Sequence, residues 1–395
     1  MLRVGSRYET SRDNGISHLL EHMLYRGVEG HGTAHELALA FETMGGTLTA
    51  ATGVDSGTLS VDCPPEHFEQ TLALLARVYR EPLLGGLAVE KDIIREEILE
   101  DQAEDGTYVD DYDLLRQTAF EGHPLGQAVI GTLESLDRFT VPRLRKHHAR
   151  HYVGSGTVVA VAGPIDVKSA ARTVERVFSA IPKGSTLPTT PPPAQDEPRV
   201  RFLKHGSSQT AVRVGFRAPA LHAAEEPATE VLLRLLDDGN STRLYARLCD
   251  ERGLAYDVTA NYEPSDDAGL FDIACGMAHV RAPVVLDEML DVVRSLRDDG
   301  PSGAELAKAK SRHAWSLDSL QDDVSAMTDF LADATLRDAP VLLDERRERI
   351  RVVTRDATRD AARAVFRPEN LSLVVVGSPS KRDIDAMRRK ISDFV

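Results

Sequence analysis

The stretch GISHLLEHMLYRG, beginning at Gly15, sets His18, Glu21 and His22 into an otherwise apolar run. Residues i and i+4 of a helix lie one above the other, about 6 Å apart, so His18 and His22 direct both imidazoles at one point. Such a nitrogen pair suits zinc. Glu21, one residue before the second histidine, is placed to act on a water as general base rather than to bind the metal. Leu19, Leu20, Met23 and Leu24 add apolar bulk that buries the helix, where two histidines and a carboxylate are costly without a partner. A chance H-x-x-E-H in a chain of this composition has odds of about a few per cent, so the motif needs a third ligand to carry weight.

That ligand must come from elsewhere, because catalytic zinc sites use about three protein ligands and leave a position open. The best candidate lies in AVEKDIIREEILEDQAED, an acidic helix with Glu97 placed 75 residues after His22. Glu90, Ile94, Glu97 and Ile98 share one face by their i, i+4, i+7 and i+8 spacing, whereas Glu96 projects about 100° away. Glu97 therefore sits beside the side that packs inward and completes a His2Glu set. Glu90, two turns earlier, is positioned to accept a hydrogen bond from a ligand or the water. Read alone, this helix is a solvated acidic face.

The elements that must hold these residues are legible in outline. AHELALAFETMGG has helical spacing and a Gly45-Gly46 stop. TLTAATGVDSGTLSVDC alternates as sheet strands do. IPKGSTLPTTPPPAQDEPRV, from Ile181, is rich in proline, serine and threonine and reads as a semi-rigid linker. On either side lie TVPRLRKHHARHYVGSGTVVAVAG and TRDATRDAARAVFRPENLSLVVVG, in which Thr140 matches Thr354, Tyr152 matches Phe366 and Gly163 matches Gly377, each 214 residues apart. A constant offset marks one unit used twice. Each copy predicts an amphipathic helix, an aromatic, a tight turn and a strand buried on both faces. The expected division is 1–182 as a metal-binding catalytic domain, 183–198 as linker and 199–395 as a homologous domain without metal. The fold class is α+β: two α/β halves, each an antiparallel-rich sheet covered by helices. A doubly wound nucleotide-binding fold lacks its G-x-G-x-x-G after a first strand.

Bulk properties agree. A chain of 395 residues fits two domains, and 42% hydrophobic with 28% charged residues is a globular composition. No apolar run approaches the ~20 residues of a membrane span, and the opening residues show no export signal, so no membrane role and a cytoplasmic location are expected. The net charge of -15 gives no support to nucleic-acid binding. Cys63, Cys249 and Cys275 are scattered without C-x-x-C and read as buried small hydrophobes.

HLLEH followed by EKDIIREEI closely resembles the inverted-motif zinc peptidases, the family of pitrilysin, insulin-degrading enzyme and the mitochondrial processing peptidase. ETMGGTLTAATGVDSGTLSV, HPLGQAVIGTLESL, YVGSGTVVAVAG and GNSTRLYARLCDERGLAYDV extend the resemblance over essentially the whole chain. It implies two homologous halves forming a clam-like chamber, with one Zn2+ per chain, in the first half only. By that analogy His18, His22 and Glu97 are the ligands, Glu21 the general base and Glu90 a supporting carboxylate, while the second half reads ATEVLLRLLDDG in the corresponding helix. A peptide substrate is expected to add as a strand along Thr47 to Thr52, against Thr49, Ala50 and Ala51.

Two departures stand out. Active relatives pair the tyrosine of GLAY with an arginine seven residues earlier to hold the substrate carbonyl; here Tyr256 is present but position 249 is cysteine. A thiol makes no charged hydrogen bond to an oxyanion, and losing such a donor costs on the order of 3 kcal/mol. The expected arrangement is therefore a heterodimer whose sister subunit carries the arginine–tyrosine pair, with a homodimer as the other option. Relatives also usually carry further strands before VGSRYE, which implies a late start and an unpaired edge beside the zinc helix. The function expected is a zinc endopeptidase acting on unfolded or short peptides. The alternative is a non-catalytic scaffold like the processing-peptidase-like core subunits of respiratory complexes.

Overall fold

The computed structural model describes residues 1–394. Along the chain the elements are α1 (Ile16–Leu24), α2 (Ala34–Thr43), β1 (Thr47–Thr52), β2 (Gly57–Asp62), α3 (Phe68–Arg80), α4 (Leu87–Glu100), α5 (Asp111–Ala119), α6 (Leu133–Arg138), α7 (Val141–His151) and α8 (Val167–Phe178). There follow β3 (Arg199–Lys204), β4 (Thr210–Ala218), α9 (Glu226–Leu236), the single turn α10 (Arg243–Tyr245), β5 (Val258–Pro264), β6 (Gly269–Met277), α11 (Ala282–Asp299) and α12 (Gly303–Ser319). The chain closes with α13 (Val324–Leu336), α14 (Leu343–Arg351), α15 (Arg355–Val365), β7 (Leu371–Gly377) and α16 (Lys381–Asp393). The class is α+β, and no described helix is long and apolar enough to cross a membrane.

The residues group into two compact units that are not consecutive in sequence. Unit 1 comprises residues 1–100, 127–189 and 320–341; unit 2 comprises 101–126, 190–319 and 342–395. Each half of the chain thus gives up a segment: α5 belongs to unit 2 and α13 to unit 1.

Unit 1 is built around α1. Ile16, Leu19, Leu20, Met23 and Leu24 are buried among Phe41, Leu74, Val78, Ile94 and Leu144, which fixes the helix's rotation and leaves His18, Glu21 and His22 on the half-open side. The free amides at its start are satisfied from a distance. The buried Glu9 carboxyl group accepts from Gly15 N (2.7 Å) and Ser17 N (2.8 Å), pairing amides that a helix N-terminus leaves without an intrahelical partner. Gly15 has φ 91°, and a Cβ there would meet the Ile130 carbonyl oxygen at 2.6 Å, so glycine is required. The expected helix over AHELALAFET is α2, started by a Thr33–Glu36 capping box and stopped at Gly45 with φ 77°. The expected hairpin is β1 with β2, paired from Thr47↔Asp62 to Thr52↔Gly57. Helix α13 reaches the same hairpin: Ser325 Oγ donates to Asp62 Oδ1 (2.9 Å), and Arg337 pairs with Asp55 (2.9 Å).

Unit 2 contains a five-stranded sheet ordered β3-β7-β4-β6-β5, antiparallel except for β3 with β7. Its core collects Phe216, Phe271, Phe366, Leu232, Leu286 and Met387, all fully buried, each contributing about 1.5–3 kcal/mol of apolar burial. Leu115 of α5 packs onto Gly215 of β4, where a Cβ would come within 2.7 Å of the leucine.

The repeat holds at the level of register. Leu2 bridges to Gly57 and to Thr157, while Phe216 pairs with Phe271 and with Leu371; all three matched positions differ by 214. LSLVVVG is the expected strand, β7, buried along its whole length between β3 and β4. Its counterpart TVVAVAG departs from expectation. Beyond the Thr157 bridge to Leu2, residues 157–163 pair with no strand among the described residues and are mostly half-buried; together with β2 and α3 they line a cavity of about 700 Å³. A β-branched run needs partners on both edges to become a central strand, and only β7 has them. The cysteines also differ in part: Cys275 is buried, whereas Cys63 and Cys249 are half-buried.

Candidate metal centre

The sequence-predicted ligands converge in unit 1. His18 and His22 lie one turn apart on α1 with ring centroids 4.7 Å apart, and Glu97 reaches them from α4. His18 Nε2 is 3.6 Å from Glu97 Oε1, and His22 Nε2 is 3.7 Å from Glu97 Oε2. Those distances are too long for hydrogen bonds. They approach the ~3.3 Å edge of a tetrahedron of ligands held about 2.0 Å from one zinc ion. The ligand atoms of all three residues lie within 4.8 Å of one another, the only such group among the described residues. The donor set and its spacing therefore fit zinc.

The protonation states suit ligation. Burial, and then the neighbouring His22, bring the His18 pKa down to about 4, so its imidazole is neutral near pH 7. For His22 the tautomer is set by Glu90, whose buried Oε2 stands 3.3 Å from His22 Nδ1 and leaves Nε2 free to face Glu97. Arg26 Nη1 approaches the other Glu90 oxygen at 3.2 Å and balances its charge. Glu90 therefore stands between His22 and Arg26.

The burial of α4 explains how both carboxylates arrive. Glu90, Ile94 and Ile98 form its buried stripe, Glu97 lies at the margin with its side chain 43% exposed, and Glu96 is exposed. Lys91 Nζ donates to the Asp137 carbonyl (2.9 Å) and Arg95 pairs with the Asp137 carboxylate (2.8 Å), tying α4 to α6.

Glu21 stands beside the ligand group without joining it. Its Oε2 accepts a 2.6 Å hydrogen bond from Thr52 Oγ1 at the end of β1. Tyr25, also on the α1 side, is hydrogen-bonded to the Ala50 backbone, and its pKa is raised first by burial and then by Glu21. Leu48, Ala50 and Thr52 alternate toward the more buried face of β1, and Thr47, Thr49 and Ala51 toward solvent. Of the expected substrate contacts, Thr49 and Ala51 are exposed and Ala50 is half-buried; Thr49 Oγ1 meets Ser60 Oγ at 2.8 Å across the hairpin. In this two-stranded sheet β1 pairs on one edge only.

Tyr256 belongs to unit 2, where it is 95% exposed. Cys249 nearby in sequence is half-buried, its thiol pKa raised chiefly by burial. Arg247 and Arg252 both turn to the Glu288 carboxylate. In unit 1, sequence reading took Thr52 only as the end of the substrate strand and passed over Arg26 and Glu9. The period-2 pattern from Leu48 places Thr52 on the inward face, a signal that was available; nothing local marks the other two.

The comparisons with known proteins bear on the same residues. Residues 1–133 match the profile described as insulinase (peptidase family M16), and residues 138–312 match the peptidase M16 inactive domain. The zinc protease YmxG of Bacillus subtilis is 29% identical over 385 residues, covering 95% of this chain and 91% of its own. The zinc protease ML0855 of Mycobacterium leprae is 31% identical over 323 residues, covering 78% and 70%. Among solved structures, a protease from Helicobacter pylori superposes with a TM-score of 0.88 at 20% identity over 95% of this chain and 92% of that one. A peptidase M16 inactive domain from Pseudomonas fluorescens gives 0.87 at 22% over 96% and 92%. A chain of complex III2 from Candida albicans gives 0.80 at 17% over 100% and 93%. With two M16 profiles matched over residues 1–133 and 138–312, and a relative 31% identical over 78% of its length, this chain belongs to peptidase family M16.

Proposed function

We propose that this chain is a zinc-dependent endopeptidase that hydrolyses unfolded or short peptides. The observation that carries the reading is the convergence of His18, His22 and Glu97, with Glu21 beside them on a hydrogen bond of its own. Zinc, when held by those three side chains, supplies a Lewis acid for the scissile carbonyl and for water. Glu21 takes the proton of the attacking water and hands it to the departing amine. The open edge of β1 receives the substrate backbone as an added strand, so affinity comes from main-chain pairing with little demand on side chains.

In this reading the chain is the metal-carrying partner of a heterodimer. Position 249 is cysteine where active relatives carry an arginine, so the arginine–tyrosine pair that stabilises the developing oxyanion is supplied by a sister subunit. The competing reading, a scaffold without catalysis, draws on Cys249 and on the likeness to a complex III2 chain. The metal set speaks against it, since a scaffold gains nothing from two histidines and two carboxylates gathered half-buried.

The test is metal analysis of the purified protein with and without Glu21→Gln, together with peptide hydrolysis in the presence of the partner. The expected result is one zinc per chain in both proteins and hydrolysis in the wild type alone. Full hydrolysis by the isolated chain would remove the heterodimer, and a folded sample without zinc would remove the peptidase.

A further inference from the structure

We propose that Thr52 is a positioning residue for Glu21, holding the carboxylate in the orientation that proton transfer needs. The proposal rests on Glu21 acting as general base and goes one step beyond it. The Thr52 hydroxyl donates to Glu21 Oε2 at 2.6 Å, the length of a strong hydrogen bond to an ionised oxygen. An ionised carboxylate only accepts, so the direction of the bond is fixed. It occupies Oε2 and leaves Oε1 for the water.

The donor is rigid where the acceptor is not. Glutamate has three side-chain torsions, whereas threonine is stiff about its single one, and the Thr52 backbone is locked by pairing with Gly57. Tyr25, bonded to the Ala50 backbone, gives α1 and β1 a second tie two residues away. The carboxylate is therefore referred to the hairpin rather than to its own flexible stem.

The repeat within the chain supplies a control. The buried positions of α1 (16, 17, 19, 20, 23 and 24) match those of α9 (228, 229, 231, 232, 235 and 236) residue for residue, which places Leu233 where Glu21 stands. The strand registers Thr52↔Gly57 and Tyr262↔Phe271 place Tyr262 where Thr52 stands. Leu233 accepts no hydrogen bond from its side chain, and the Tyr262 hydroxyl donates instead to the Pro219 carbonyl (2.8 Å). At these matched positions, a hydroxyl is aimed at a carboxylate in unit 1 and not in unit 2. A bond needed merely to join helix to hairpin would serve both halves.

The experiment uses the zinc-loaded full chain with its partner and compares Thr52→Val, Thr52→Ser, Glu21→Gln and the double variant Glu21→Gln/Thr52→Val. Four quantities are read: kcat and KM for a peptide, affinity for a peptide hydroxamate, zinc affinity by chelator competition, and Tm. A hydroxamate gives its proton to the general base on binding, so it reports the base's placement without turnover. Thr52→Val is expected to lower kcat roughly 10- to 100-fold, the scale of a misplaced catalytic group, and to weaken the hydroxamate, with KM and zinc affinity unchanged. Thr52→Ser recovers most of the loss, and the double variant is no worse than Glu21→Gln. Wild-type kcat and hydroxamate affinity in Thr52→Val, with Glu21→Gln inactive, would overturn the positioning role alone. So would a loss that merely tracks lost zinc or lowered Tm. A wild type that binds no zinc, or a Glu21→Gln as active as wild type, would instead end the peptidase reading and this proposal with it.

Discussion

Two helix pairs in this chain have the same burial pattern and opposite chemistry. In unit 1, α1 and α4 bring together His18, His22 and Glu97, with Glu21 also on α1. In unit 2, the buried stripe of α9 matches that of α1, and Ala309, His313 and Leu317 of α12 match Glu90, Ile94 and Ile98 of α4. Read through those stripes, Glu230 replaces His18, Leu233 replaces Glu21, Arg234 replaces His22 and Ser316 replaces Glu97. The match is more than formal: Arg234 Nη2 donates to Ser316 Oγ at 2.9 Å, a contact between the very positions where His22 faces Glu97. A guanidinium has no lone pair for a metal. The two helix pairs share their packing while four half-exposed positions differ, a potential metal-ligating set in one unit and ordinary hydrogen bonding in the other, so core and site are separable in this architecture.

The sharpest way to break that comparison is to write unit 2 into unit 1. The triple variant His18→Glu, His22→Arg and Glu97→Ser is expected to fall from one bound zinc to none while keeping its far-UV circular dichroism, because none of the three positions lies in the buried stripe. Collapse of the fold would show that site and core are not separable.

Acidification probes the same asymmetry with the next largest effect. In unit 1 His18 and His151 have pKa values lowered to about 4, and His147 and His148 are also lowered, all four chiefly by burial. A histidine held below its unfolded value of about 6.5 favours the fold only while neutral. Its stabilisation is present above pH 6.5 and is lost as pH falls toward 4 in the metal-free protein. Hydrogen exchange resolved by segment should show α1 and α7 opening in that window ahead of β4, β6 and β7.

A smaller effect sharpens the role of Glu90, whose matched residue in unit 2 is Ala309. Glu90→Gln keeps shape but weakens the hold on His22, and zinc affinity by chelator competition is expected to fall 10- to 100-fold. Smallest is Thr33→Ala, which removes the capping box of α2 and should cost about 1 kcal/mol in thermal unfolding without changing zinc affinity.

Much of this was legible in one dimension. His18, Glu21, His22 and Glu97 announce themselves because metal chemistry needs particular atoms at helical spacing, and α2 and the β1–β2 hairpin because their apolar periods and glycine stops are local. What stayed hidden depends on partners distant in sequence. TVVAVAG and LSLVVVG look alike, yet only the second finds strands on both edges. Glu9 reads as one more surface acid until its carboxyl group meets the amides of Gly15 and Ser17. Thr52 reads as a strand threonine until α1 lies across it.

The crossing of segments between units bears on how the protein is made. Most of unit 1 leaves the ribosome within the first 189 residues, but α13 (324–336), whose Ser325 and the Arg337 that follows it clasp the β1–β2 hairpin, comes much later. During synthesis the hairpin that carries Thr52 waits without that clasp while the sheet strands of unit 2 up to β6 are produced. Unit 1 is thus completed late, its last segment emerging only after most of unit 2 has been made.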